Sequence, residues 1–223
     1  MLCPLFALTQ YIELNQPDHD EKAFHFGINV GVNRAHYNFS RHPKFLATDS
    51  VMVIESINST GINLAWLVNM RISDHFDLRT YPINLVFTEK AFEYQLTYPD
   101  RPLGEQPVTI KKVQGITLAL PLQVKFTSDR IANLKVYMLG GGKIEYDLAA
   151  GKQQEEMLKL KKLDYGIEAG MGFHIYFPVF VLTPEIKVGW GLNNVHSRNE
   201  NLKFSNTIDK INARTITFSL TVE

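Results

Sequence analysis

Apolar and polar residues alternate one by one along eight separate stretches of this chain. A period of two belongs to a strand whose two faces meet different surroundings. From Phe24 the residues Phe24, Phe26, Ile28, Val30 and Val32 share one face, and His25, Gly27, Asn29, Gly31 and Asn33 share the other. Residues 62–73 repeat the pattern, with Trp66 on the apolar side and Asn63, Leu67 and Asn69 opposite. The same reading holds over 116–126, 135–148, 163–177, 182–193 and 215–222. A further strand over 76–94 is blurred at Tyr81 and Pro82. Proline cannot donate to a ladder, so a bulge or a change of register is expected there. Helical patterning is weak. The one candidate, 153–162, reads equally well as loop.

The connections alternate as strictly as the residues. Long polar segments fall at about 41–59, 95–112, 149–161 and 194–210, with short turns at about 73–77, 127–133 and 178–179 between them. This asymmetry is that of bacterial outer-membrane barrels, whose turns are short on the periplasmic side and long outside. The expected fold is therefore all-β: an eight-stranded antiparallel up-and-down transmembrane β-barrel with long outer loops and short periplasmic turns. Residues 24–223 form that barrel, 11–23 a polar N-terminal segment, and 1–10 (MLCPLFALTQ) the remnant of a signal peptide.

A soluble eight-stranded barrel also alternates, but its polar face would meet water and carry many Lys and Glu. Here the polar face is rich in small residues, among them Gly27, Gly31, Gly166, Gly170, Gly172, Gly189 and Gly191. Small residues suit the narrow interior of an eight-stranded barrel. The other face runs long without a charge, as lipid requires. Aromatic residues gather at strand ends: Phe24, Phe76, Phe126, Phe177 and Phe180 at one, and Tyr37, Phe39, Phe92, Tyr94, Tyr146 and Tyr165 at the other. That distribution matches two interfacial girdles.

The face assigned to the interior carries Arg71, Arg79, Lys125, Lys143, Glu145, Glu168, Glu185 and Lys187, with His25 and His174. Charges inside a narrow barrel must pair or be hydrated, so an ion-pair network is expected, not an acid–base site. Lys+Arg and Asp+Glu each number 23. The balance leaves no basic footprint for nucleic acid. Cys3 is the single cysteine, and His19, His25, His36, His42, His75, His174 and His196 lack metal-ligand spacing. No nucleophile motif occurs, and Gly140–Gly142 lacks the Lys-Ser/Thr that completes a phosphate loop. The triplet is expected to let the strand bend or a neighbour pack over it. No catalytic, cofactor-binding or metal-binding residue is assigned and no cofactor is expected; the barrel is expected to be a monomer in outer-membrane lipid.

Several stretches in order carry a family resemblance: FHFGINVGVNRA from Phe24, FDLRTYPINLVFTEK from Phe76, LPLQVKF from Leu120, YMLGGGKIEYDLA from Tyr137 and PEIKVGWGLNN from Pro184. In these the chain resembles the PorT/SprT proteins of Bacteroidetes, small outer-membrane barrels of the type IX secretion and gliding-motility machinery. The resemblance runs from about residue 24 to the end. It departs at the end itself, Val222–Glu223, where many such barrels close on an aromatic residue; Phe218 is the nearest substitute. The resemblance implies a non-enzymatic subunit of type IX secretion, with other subunits as partners. Because an eight-stranded barrel is filled by its own side chains, it implies an accessory or assembly role and not the conducting pore. The competing readings are a lipid-modifying enzyme with Ser, His and Glu near the outer rim, or a passive adhesion or porin-like barrel.

Overall fold

The computed structural model describes residues 13–41, 51–57, 59–96, 108–148, 162–193 and 208–223. Nine strand segments form one antiparallel sheet: β1 (Phe24–Arg41), β2 (Val51–Ile57), β3 (Ser59–Arg71), β4 (Phe76–Leu96), β5 (Val108–Thr127), β6 (Leu134–Asp147), β7 (Leu163–Tyr176), β8 (Val181–Gly191) and β9 (Ile208–Val222). β2 and β3 both pair with β4 and make one stave of the barrel, so the staves number eight. Each stave pairs with its neighbours in sequence, and β1 pairs with β9 to close the cylinder. Closure leaves no free edge across the lipid.

The faces fall where the alternation puts them. Ile28 and Leu122 are 62% and 57% exposed, whereas Gln123 and Arg79 are fully buried. Trp66, Met171 and Ile186 are exposed, and Asn29 and Lys187 are buried. An exposed apolar belt on every described stave is incompatible with an aqueous surface and is what a bilayer requires. Phe24, Phe76, Phe126, Phe177 and Phe180 point outward at the end carrying the short turns, and Tyr146 and Tyr165 do so at the other end. The side chains of Tyr37, Phe39, Phe92 and Tyr94 lie outside the described residues.

The expected irregularity in β4 is a bulge. Between Thr80 and Leu85, β4 has one more residue than β5 opposite, and between Thr80 and Ile83 one more than β3 opposite. Arg79 and Tyr81 face inward before it, whereas Ile83 and Phe87 face outward after it. Of the glycine triplet, only Gly141 is sterically demanded: a Cβ there would fall on the Leu122 carbonyl oxygen, whereas Gly140 and Gly142 have room. The neighbour that packs over a glycine does so at Gly172, where the Tyr137 hydroxyl occupies the space of a side chain.

The sequence-based loop limits need correction. The segment expected as loop over 41–59 contains β2, and that over 95–112 contains the start of β5. These strand ends extend beyond the apolar belt. Alternation fails along Val51–Ile57 and breaks at Lys111 and Lys112, so periodicity does not report the strands there. Candidate helix 153–162 lies outside the described residues, apart from Lys162. So does the leader, 1–10.

The face assignment makes Ile186→Arg costly. At mid-bilayer it should lose about 2–4 kcal/mol, read as a lowered urea midpoint in detergent or lipid and as reduced assembled protein. Normal stability of that variant would mean that the faces are inverted.

Candidate functional site

Side chains of three staves meet at the middle of the lumen. Glu185 of β8 accepts from Arg79 of β4 at 2.7 Å and from the Tyr137 hydroxyl of β6 at 2.6 Å, both at Oε2. Its other oxygen lies 3.0 Å from Lys187 Nζ. Glu185 and Lys187 are two apart on one strand and therefore share its inner face. The Arg79 guanidinium stands over the Tyr137 ring, and Lys187 Nζ over the Tyr81 ring at 4.6 Å. Both rings present their negative faces to cations. Arg79, Tyr81, Tyr137 and Glu185 are all buried, and together they form a layer across the lumen.

Toward the turn end lies a cavity of about 20 Å³. Lys125 bridges Asp77 at 2.6 Å and donates to His174 Nε2 at 3.3 Å. That leaves the His174 Nδ1 proton for Thr183 Oγ1, 2.9 Å away. In the Thr183–His174–Lys125–Asp77 chain the imidazole thus donates to the hydroxyl and holds no lone pair toward it, the reverse of a nucleophile and its base. The Thr183 hydroxyl is also fully buried and does not line the cavity. Toward the loop end, small residues leave a cavity of about 50 Å³ lined by Asn33, Asn63, Asn84, Lys143, Glu145 and Glu168, among others. Here Lys143 pairs with Glu145 at 2.6 Å and Gln123 donates to Glu168. Either space suits a few waters and neither approaches the size of a usual small-molecule site.

The lumen therefore collects the sequence-assigned charges in three levels. Arg79, Glu185 and Lys187 make the middle, Lys143, Glu145 and Glu168 the loop side, and Lys125 and His174 the turn side. Arg71 lies at the turn-end mouth, bonded to Asp74 at 2.6 Å. Among the described residues no group of three or more His, Cys, Asp or Glu is placed to hold a metal ion.

The turn end has a part that periodicity did not disclose. Residues 13–22 run as a strap across the mouth, with a short 3-10 turn, Pro17–Glu21. Gln16 enters it in the left-handed region (φ 50°). Asp20 accepts from the Tyr176 hydroxyl at 2.6 Å and pairs with Lys135 at 3.3 Å and Arg130 at 3.7 Å. Arg71 donates to the Asp20 carbonyl at 2.6 Å. His19 stacks on His25 at 4.5 Å, and the His25 Nε2–H donates to the His19 carbonyl. Burial, with His25 adding to it, lowers the His19 imidazole to about 4, against the pull of Asp20. Burial opposes ionisation of Asp20, yet the Tyr176 hydrogen bond and Lys135 outweigh it and hold the carboxyl below its ordinary value.

A family model described as an outer membrane protein beta-barrel domain matches residues 10–197. No curated protein matches the sequence. Among solved structures, the chain is similar to Neisserial surface protein A, at 11% identity and a TM-score of 0.41, over 90% of this chain and 99% of that one. It is also similar to Ail, the attachment invasion locus protein of Yersinia pestis, solved with the heparin analogue sucrose octasulfate. That likeness has 11% identity and a TM-score of 0.38, over 88% of this chain and 96% of the other. In barrels of the outer membrane the short turns face the periplasm.

Two outcomes follow from this geometry. Glu185→Ala leaves Arg79 and Lys187 buried without their shared anion and should cost about 3–5 kcal/mol in denaturant unfolding. Tyr137→Phe removes one donor and should cost about 1–3 kcal/mol. Equal losses would mean that charge pairing is not what holds the layer. The second outcome concerns pH. The docked strap favours neutral His19, so docking is fully retained above about 6.5, the ordinary imidazole value, and weakens as pH falls toward 4. Asp20 acts in the same direction, retaining its contribution until the pH falls below the ordinary carboxyl range. A spin label in the strap should gain mobility on acidification, and His19→Gln should shift that response to lower pH.

Proposed function

The chain belongs to the family of outer-membrane β-barrel domains, and from that premise we propose that it is a non-enzymatic subunit needed for type IX protein secretion. It acts as an accessory or assembly factor, and gliding motility depends on it where the host glides. The observation that carries the accessory role is the filled lumen. Arg79, Tyr81, Tyr137, Glu185 and Lys187 close the barrel at mid-height, and the spaces on either side among the described residues each suit a few waters. A folded cargo cannot pass through, so the protein works by contact.

The link to type IX secretion is supported by the ordered PorT/SprT-like stretches, FHFGINVGVNRA through PEIKVGWGLNN. Their positions span β1, β4, β5, β6 and β8. Among the described residues, a non-enzymatic role is supported by the hydroxyl–histidine–lysine chain in the lumen, where His174 donates to a Thr183 that is sealed from solvent. The outer-loop aromatic residues Phe45, Tyr98 and Phe204 lie outside the described residues. Among the described residues, the surface able to make selective contacts is the periplasmic one.

Clean deletion of the gene in its native host should trap type IX cargo inside the cell and abolish gliding where it occurs. Wild-type protein should restore both. Normal cargo secretion in the deletion strain would leave a passive surface barrel as the better reading.

A further inference from the structure

The strap is held in a way that suggests more than self-closure. Asn133 grips its main chain from both sides: the Asn15 N–H donates to Asn133 Oδ1 and Asn133 Nδ2 donates to the Glu13 carbonyl, each at 2.9 Å. Arg130 donates to the carbonyls of Asn15 and Gln16, and Arg71 to that of Asp20. With the His19 carbonyl held by His25, six main-chain atoms of an irregular segment are recognised by barrel side chains. Recognition through the main chain is largely indifferent to sequence, and is how many domains accept extended peptides. Sequence enters where the Asp20 carboxylate meets a seat made by Arg130, Lys135 and the Tyr176 hydroxyl. It enters also where the Asn15 and Gln16 amides donate to the Tyr176 and Phe177 carbonyls, and where His19 stacks on His25. Of these, the Asp20 seat alone joins opposite charges.

The hold is exchangeable. No residue of the Pro17–Glu21 turn is more than partly buried, so the strap stays by polar contacts that compete with water, by the His19–His25 stack and by being tethered to the barrel. Charge is complementary: the strap carries Glu13, Asp18, Asp20 and Glu21 against the single Lys22, and the seat Arg71, Arg130 and Lys135. The strap leaves two apolar turn tips beside it uncovered, Ile131 at 78% and Val179 at 87% exposure.

We propose that the periplasmic face of the barrel is a peptide-docking site occupied in cis by the chain's own residues 13–22, and that an acidic segment of a periplasmic partner protein, following the strap's irregular course, takes the same seat. Its carboxylate replaces Asp20 between Arg130, Lys135 and Tyr176. Its apolar side chains cover Ile131 and Val179, a burial the strap does not make. The site stands whether or not the chain serves type IX secretion.

The test uses the full chain in detergent micelles and a fluorescently labelled peptide of residues 13–22, read by anisotropy. Asp20→Ala weakens the strap without touching the seat. It should bind the peptide at least ten-fold more tightly than the wild-type chain, whose seat is taken. Adding Lys135→Ala to Asp20→Ala should remove that gain, and a peptide with Asn in place of its Asp20 should lose at least ten-fold. A gel shift between boiled and unboiled samples verifies that each variant is folded. Folded Asp20→Ala that binds no better than wild type, or equally well without Lys135, overturns the proposal. So does competition by phosphatidylglycerol together with indifference to the peptide's carboxylate, which would make the seat a headgroup site.

Discussion

One buried carboxylate organises the interior. Glu185 is shared by Arg79, Lys187 and Tyr137, and so ties β4 and β6 to β8 across the lumen. Ladder hydrogen bonds close a barrel but are blind to which side chains meet inside it. A charge inside a narrow barrel has little water to turn to and is costly unless paired. β8 sends both Glu185 and Lys187 inward, and the strands opposite must answer with a cation and a hydrogen-bond donor. The rest of the lumen is arranged around that demand. Large side chains fill the middle and small ones stand above it, where Ala119, Gly166 and Gly189 are buried.

The bulge in β4 lets one strand serve both surroundings. Before it, odd-numbered residues face inward, which delivers Arg79 and Tyr81 to the central layer. Continued unbroken, that parity would drive Ile83, Leu85 and Phe87 into the lumen. The extra residue reverses it, returning Ile83 and Phe87 to the lipid face and turning Asn84 and Val86 toward the cavity above the layer. Pro82 sits within the bulge, where a missing N–H costs no regular ladder bond.

What the sequence disclosed follows from what alternation can encode. It assigns a side, and so it placed Arg79, Lys125, Glu185 and Lys187 inside and Trp66, Leu122 and Ile186 outside. It cannot say which inward residues meet, because Arg79 and Glu185 lie 106 positions apart. Tyr137 stood on the inward face without announcing a role, although a large phenol among glycines was a signal: Gly172 is the space it fills. β2 was hidden because its run, Val51–Ile57, does not alternate. The strap was hidden for another reason. It has no period, and its partners Arg130, Asn133, Lys135 and Tyr176 lie more than a hundred residues away. A polar segment without pattern reads as loop until its partners are seen.

The distribution of chemistry over the molecule then narrows where it can act. The lipid face is apolar on every described stave and offers packing but little discrimination. The central layer is sealed, with each charge committed to a partner inside the barrel. The periplasmic mouth is different: it has cations fixed by the turns between strands, a ring hydroxyl aimed at a carboxylate, and side chains that read main-chain atoms. Arg130 is held both by its stacking over the Tyr176 ring at 3.6 Å and by donating to the Ala132 carbonyl at 2.9 Å. Such anchoring lowers the entropy lost on contact. A barrel that cannot pass cargo and is uniform along its sides concentrates its capacity for selective contact at an end, and among the described residues that end is the periplasmic one.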